Sequence, residues 1–289
     1  MLMQTLRECV EEYKNGGKAL GHFNVSDSNQ LRAIALAARE TGLPVVVGLS
    51  EGEREFFPLA HARAIINAYN TDGLQMYLNA DHTYSVEKVK EAIAAGVDSI
   101  VVDGAKLPFI ENIALLKTCV EEARASTREI LIEGELGYIG TSSSVMDTLP
   151  EGAAITEEMM TTSGELHDLV METHANLVAP AVGNIHGVVR SGQPKLSIAR
   201  IAELATTAGA PLVLHGGSGS SDGEFVQAIT AGIVMIHINT DLRVIYHDTL
   251  AETLSANSKE TTPYKFLAPS VGRMQDFVAQ KMRLFAKSQ

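Results

Sequence analysis

Eight short apolar runs recur along this chain, each followed by a stretch with helical spacing, on a beat of roughly 30 residues. No other feature limits the fold as strongly. A parallel strand covered on both faces reads as an unbroken apolar run, and a crossover helix returns the chain to begin its neighbour. The runs are 19–25, 44–50, 75–80, 99–104, 130–136, 177–182, 211–215 and 233–239. Helical spacing fits 4–14, 26–40, 58–70, 85–95, 108–125, 163–175, 197–207, 221–231 and 241–254, with a terminal helical segment over 263–286. Gly16-Gly17 and Gly42 stand where helices should stop, and Ser221 with Glu224 is a capping-box pair. Eight strands alternating with eight helices predict a closed parallel (β/α)8 TIM barrel with an extra C-terminal helical segment, one domain over 1–289. A doubly wound open sheet, built from the same right-handed units, is the runner-up. The count of eight and the polar residues at each strand's C-terminal end favour the barrel.

Composition excludes several partners. The net charge is −12 and no basic patch stands out, which argues against nucleic acid. No run reaches the ~18 apolar residues of a membrane span. The first residues lack the charged and apolar regions of a secretory signal. Cys9 and Cys119 lie far apart and in no C-x-x-C, so they read as reduced thiols of a cytoplasmic protein. An anionic substrate would need local help against the overall field, from a metal, an arginine or helix N-termini.

The chemistry collects at the predicted strand ends, where barrel enzymes keep it. Asn79-Ala80-Asp81-His82-Thr83 places an acid beside an imidazole where the third strand gives way to a loop. Adjacent side chains on an extended backbone point to opposite faces, so a turn there would let both reach one cavity. Strand four ends at Asp103, and strand five carries Glu133 and Glu135. Strands six and seven lead to His186-Gly187 and His215-Gly216, and strand eight to His237, Asn239, Thr240 and Asp241. A lone histidine is usually structural; His61, His167, His174 and His247 fall within helices and read that way. Three at strand ends, two of them followed by glycine, are different. Three neutral imidazoles and an open position make a catalytic zinc site, and nearby carboxylates fix their tautomers or hold a second, harder cation. His215-Gly216-Gly217-Ser218-Gly219, ahead of a helix after strand seven, can cradle a phosphate with backbone N–H groups and the Ser218 hydroxyl. The long connections 137–162 and 187–196 read as lids or binding loops.

The set A-D-H-T (80–83), V-D-G-A-K-L-P-F (102–109), E-G-E-L-G (133–137), V-G-N-I-H-G (182–187), L-V-L-H-G-G-S-G (212–219) and N-T-D-L-R (239–243) resembles the class II, metal-dependent ketose-bisphosphate aldolases over most of the chain, in order. The resemblance implies a lyase that reversibly cleaves fructose 1,6-bisphosphate to dihydroxyacetone phosphate and glyceraldehyde 3-phosphate through a zinc-stabilised enediolate. Tagatose 1,6-bisphosphate or a related ketose phosphate is the alternative. It implies zinc on His82, His186 and His215. Asp81 would be the acid/base at the C4 hydroxyl, and Asp103 and Glu135 would belong to a second metal position. Gly187, Gly216 and Ser218 would hold the dihydroxyacetone-phosphate phosphate, with Thr240 contributing from the last strand, and Gly217, His237 and Asn239 would belong to the substrate site. Arg243 would reach a neighbouring subunit's far phosphate, which implies a homodimer or homotetramer. A monovalent cation is also expected.

This chain departs from the family pattern twice. The loop after strand five reads G-T-S-S-S-V-M-D where G-G-x-E-D is common, so Asp147, Glu151 or another residue would have to replace the usual acid. His237 stands for an asparagine that contacts substrate, and Asn239 for an aspartate. Two rival readings give different results. A Schiff-base aldolase needs a buried lysine, for which Lys106 is the candidate. A non-catalytic sugar-phosphate-binding barrel needs no Asp81.

Overall fold

Period-two alternation decides which side chains enter the barrel and which face its helices. The computed structural model describes residues 3–140, 143–149, 155–190 and 192–287. The strands are β1 (Leu20–Asn24), β2 (Val45–Leu49), β3 (Met76–Thr83), β4 (Ser99–Val102), β5 (Leu131–Leu136), β6 (Val145–Met146), β7 (Leu177–Pro180), β8 (Val188–Val189), β9 (Leu212–Leu214) and β10 (Ile233–Ile238). Eight of them close into a parallel barrel in the order β1-β2-β3-β4-β5-β7-β9-β10, and β10 returns to β1. The remaining two, β6 and β8, pair with each other over the loops. Closure settles the choice against the open sheet.

The early helices are α1 (Leu6–Asn15), α2 (Ser28–Thr41), α3 (Glu51–Phe56), α4 (Leu59–Thr71), α5 (Val86–Ala95) and α6 (Phe109–Arg124). They are followed by α7 (Ser163–Thr173), α8 (Ile198–Thr207), α9 (Asp222–Ala231), α10 (Thr240–Ala256) and α11 (Pro263–Ala286). Caps fall where the sequence places them. Asp27 accepts from the N–H groups of Asn29 and Gln30, Ser221 and Glu224 cap each other's backbone, and Gly42 closes α2 in the left-handed region. Pro108 sits one residue before α6 rather than inside its first turn, and His174 ends α7 with φ 56° instead of lying within it. Helix α3 is not legible in the sequence: it is short and has Gly52 inside it.

The barrel interior changes character with height. Its lower layer is apolar: Leu20, Val46, Tyr77, Leu131, Leu177, Val213 and Met235 pack on one another and on Leu6, Cys9, Val10 and Tyr13 of α1, which plugs that end. The outward set, among it Phe23, Val47, Leu78, Ile100, Ile132 and Ile236, packs under the helices in the larger core. Both cysteines are buried and unpaired, and burial pushes each thiol up to about 12, so neither is reactive near neutrality. No helix among the described residues is long and apolar enough to cross a membrane.

Candidate active site

Two residues above the apolar layer, the same inward positions become polar. His22 follows Leu20, Asn79 follows Tyr77, Glu133 follows Leu131 and His237 follows Met235, all buried. One step higher stand Asn24, Asp81 and Glu135. Backbone pairing sets these heights: His22 lies opposite His237 across β1 and β10, and Asn79 opposite Ser99 across β3 and β4.

Strand β3 does not stop at Ala80 but runs through Asp81 and His82 to Thr83, with a register shift against β4 between Ala80 and Thr83. His82 has φ 41°, a left-handed backbone rare for a residue with a Cβ. This kink turns the imidazole to the same cavity as Asp81. His186 is not at a strand end, since β7 stops at Pro180. It stands on a loop whose Asn184 accepts from the Val182 N–H at 2.7 Å and donates to the His215 carbonyl at 3.0 Å. The His186 N–H bonds the Ile139 carbonyl at 2.9 Å.

His82, His186 and His215 each offer a ring nitrogen within 4.8 Å of the others. Their centroids are 4.7, 5.0 and 5.7 Å apart, and the planes meet at 79°, 86° and 71°. Rings whose planes meet this steeply can aim their in-plane lone pairs at a common point; stacked rings cannot. The nitrogen on the far side of each ring is occupied. His82 Nδ1 is 2.9 Å from Asp103 Oδ2, His186 Nδ1 donates to the Gly140 carbonyl at 2.7 Å, and His215 Nε2 is 2.6 Å from Glu133 Oε1. This leaves His82 Nε2, His186 Nε2 and His215 Nδ1 for a cation, with tautomers fixed from behind. His215 Nδ1, Asp81 Oδ1 and Glu135 Oε2 are buried without a hydrogen-bond partner among the described residues, as a site built around an ion would leave them. The donor set of three imidazoles fits zinc.

Asp103 and Glu135 play different parts. Asp103 orients His82, and Glu135 lies between 3.5 Å from His82 Nδ1 and 3.6 Å from His215 Nδ1. Together with His82 they form a second group close enough for a metal.

The electrostatics favour one charged imidazole. Burial opposes the charge on His82, but Asp81, the bond to Asp103 and the nearby Glu135 push it up to about 10. Burial and the neighbouring His82 push His186 down to about 4, and burial with His237 beside it holds His215 well below the histidine range. Burial likewise opposes ionisation of Asp81, yet His82 and then His237 and His22 hold its carboxyl well below the usual carboxylate range. Asp81 Oδ2 accepts from Asn24 Nδ2 at 2.8 Å, while Oδ1 is 3.8 Å from His82 Nε2. Burial, with Asp81 and Asp103 respectively nearest in charge, raises Glu133 and Glu135 well above theirs.

Asp81, the three histidines, Gly187, Gly216, Ser218, His237, Asn239 and Thr240 line an inner cavity of about 20 Å3. Gly216 has φ +61°, and a Cβ there would meet the Ile185 carbonyl at 2.1 Å, so only glycine fits. Gly217 is not on this wall, and its N–H goes to the His237 carbonyl at 3.0 Å. The Ser218 hydroxyl accepts from the Asp241 N–H at 3.2 Å. An outer cavity of about 210 Å3 shares Asp81, His82, His186 and Asn239, and adds Ser50, Tyr84, Asp103 and Arg243.

Three further residues of the sequence reading are placed as follows. Arg243 lines its own chain's outer cavity, with one guanidinium nitrogen 2.7 Å from Glu53 and another donating to the Ser143 carbonyl at 3.1 Å. Its position therefore does not by itself call for a second subunit. Asp147 pairs with Arg190 at 3.4 Å on the surface and lines neither cavity, while Glu151 lies outside the described residues, as do 141–142 and 150–154 of the expected lid. Lys106 is exposed, with its Nζ over the Tyr138 ring, and lacks the apolar enclosure a Schiff-base lysine needs.

Sequence reasoning missed His22, Asn24, Glu53 and Asn79, and gave Glu133 no partner. Glu53 accepts from Asn24 at 2.9 Å and from Arg243, and its Oε2 caps Ser50. The signal that could have found His22, Asn24 and Asn79 is polar residues at alternate positions inside otherwise apolar strands.

The profile of the family described as fructose-bisphosphate aldolase class-II matches residues 4–289. A probable fructose-bisphosphate aldolase of Bacillus subtilis is 31% identical over all of this chain and 99% of its own length. The fructose-bisphosphate aldolase of Geobacillus stearothermophilus is also 31% identical, over all of this chain and 98% of its own. Among solved structures, the YdjI aldolase of Escherichia coli K12 superposes with a TM-score of 0.82 at 24% identity, covering 98% of this chain and 97% of that one; at this identity the likeness speaks for the fold. With the barrel, the histidine centre and a match over nearly the whole length, this chain belongs to the class II fructose-bisphosphate aldolase family and is a carbon–carbon lyase.

Proposed function

We propose that this enzyme reversibly cleaves a phosphorylated ketose between C3 and C4, with fructose 1,6-bisphosphate as the substrate and zinc held by His82, His186 and His215. The observation that carries this reading is the set of three edge-on imidazoles, each fixed from behind by Asp103, the Gly140 carbonyl or Glu133. Zinc in such a site supplies Lewis acidity toward the substrate's carbonyl and stabilises the charge that develops as C3–C4 breaks. Asp81, acting as a carboxylate, takes the proton of the C4 hydroxyl as that carbon becomes an aldehyde, and returns it in the condensation direction. Asn24 keeps its carboxylate in place. Gly216 and Gly187 let a phosphate approach the backbone, with Ser218 and Thr240 on the same wall. Asp103 and Glu135 with His82 supply an alternative cation position. A homo-oligomer in the cytoplasm that also takes a monovalent cation completes the reading.

Tagatose 1,6-bisphosphate is the second reading. His237 and Asn239, the two departures from the family pattern at strand eight, both line the inner cavity. Tagatose differs from fructose in configuration at C4, the carbon whose hydroxyl Asp81 serves. Elemental analysis for zinc with coupled cleavage kinetics on both bisphosphates tests the readings together. Turnover of fructose 1,6-bisphosphate that is lost on chelation and restored by zinc is expected. A strong preference for tagatose 1,6-bisphosphate would favour the second reading, and zinc-replete protein that binds without turnover would favour a sugar-phosphate-binding barrel.

A further inference from the structure

Histidines 22, 237 and 215 form a column through the barrel interior. The rings of His22 and His237 are parallel within 7° with centroids 3.5 Å apart, and those of His237 and His215 are 4.1 Å apart at 25°. The column has a socket at its far end. Gly48 of β2 leaves the space for His22: a Cβ on Gly48 would lie 2.1 Å from His22 Cε1. Asn79 donates to the Ser99 hydroxyl at 2.7 Å, so its Oδ1, 3.1 Å from His22 Nε2, accepts from that ring nitrogen. That bond fixes the tautomer and in-plane rotation of His22. His22 is fully buried and lines neither cavity.

His22 and His237 lie, with Asp81, close enough to suggest a further cation site. The stacking argues against it. The lone pairs of an imidazole lie in its ring plane, so two parallel rings 3.5 Å apart cannot both aim at one ion. What a parallel stack does well is hold the middle ring flat. His237 is that ring, and it stands between the two ends of the machinery: its Nδ1 is 3.5 Å from Asp81 Oδ1 and its Nε2 is 4.0 Å from Glu133 Oε2. Glu133 in turn fixes His215.

We infer that His22, seated on Gly48 and Asn79, is a positioning residue that acts through His237 to set the ring orientation of the metal ligand His215. The inference rests on the proposed zinc site and concerns residues outside its ligand set. With His22 shortened, His237 loses its backing on one face and can tilt, and the face it presents to His215 tilts with it. His215 keeps its bond to Glu133 but can rotate about it, so its Nδ1 is aimed less tightly toward the other two histidines.

The test uses His22→Ala, His22→Phe and wild-type protein, each stripped and reloaded with Co2+ or Zn2+. Residues that orient metal ligands from behind are worth about 10–100-fold in affinity. His22→Ala is expected to release zinc to a chelator about 10-fold faster or more, and to change the visible Co2+ absorption that reports ligand geometry. His22→Phe keeps a flat ring under His237 and should return both toward wild type; a residue that merely filled space would not move the cobalt spectrum. Should His22→Ala fail to fold, Asn79→Ala, which frees the His22 ring, is expected to shift the same two readings in the same direction. Folded His22→Ala or Asn79→Ala protein with wild-type release rate and cobalt spectrum overturns the inference. Wild-type protein that takes up no metal at all fails the proposed zinc site instead, and the two failures are distinct.

Discussion

Asp81→Ala separates catalysis from scaffolding more cleanly than any other change in this site. Among the described residues the side chain accepts one hydrogen bond, from Asn24 Nδ2, and that nitrogen also donates to Glu53 at 2.9 Å, so Asn24 keeps a partner when Asp81 is lost. His82 likewise keeps Asp103 at 2.9 Å and Glu135 at 3.5 Å. The structural cost is one charge-assisted bond of about 1.5–3 kcal/mol, offset by removal of a buried carboxylate whose Oδ1 has no hydrogen-bond partner among the described residues. A Tm lower by no more than a few degrees is expected. Zinc should stay near one per chain, because Asp81 is not among the three imidazole donors. The kinetic loss should be much larger. Removing a proton-transfer group costs about 10²–10⁴ in kcat, or about 2.7–5.5 kcal/mol in the barrel's transition state, with a smaller change in KM. Zinc content, Tm and single-turnover cleavage on one preparation decide it. Zinc content falling in step with activity, or activity recovered by adding zinc, would refute the role of Asp81 in the chemistry.

Metal uptake should release protons at neutral pH, since His82, pushed up to about 10 in metal-free protein, must give up its proton to serve as a ligand; calorimetry in buffers of different ionisation enthalpy reads the number, and no buffer dependence would contradict it. The same shift has an opposite sign for metal-free stability: a group whose pKa rises on folding stabilises fully below its unfolded value and ceases to as pH passes its folded one, so the His82 contribution should fade between about pH 6.5 and about 10, as melts across that range would reveal. Gly216→Ala should lower Tm and abolish most activity, because its Cβ would meet the Ile185 carbonyl at 2.1 Å with φ in the left-handed region; a fully active variant would mean the close approach is relieved at little cost. Arg243 sits on its own chain's cavity wall, so Arg243→Ala is expected to raise KM more than it lowers kcat, and mixing it with Asp81→Ala chains should restore no activity; restoration would place Arg243 in a neighbouring subunit's site.

Much of this was legible in the sequence. The apolar runs gave all eight barrel strands because a strand covered on both faces has no polar side to interrupt it. Asp81 and His82 were readable as a pair that needs a turn, and φ 41° at His82 with the register shift beyond Ala80 is that turn. His22, Asn79 and Glu133 were harder, because the strands of a closed barrel are staggered and one layer draws on different heights of different strands. A residue in mid-strand on β1 thus meets one near the end of β10, as His22 meets His237. Glu53 was hidden for another reason: its six-residue helix is too short to show a period. The paired strands β6 and β8 are two residues each and leave no pattern to read.

The central claim is that His82, His186 and His215 converge on one zinc ion. Anomalous diffraction at the zinc edge from crystals of the metal-loaded protein tests it most directly. The expected result is one peak per chain at about 2.0–2.1 Å from His82 Nε2, His186 Nε2 and His215 Nδ1. A peak on other side chains, or these three nitrogens too far apart to share an ion in every loaded crystal, would contradict it.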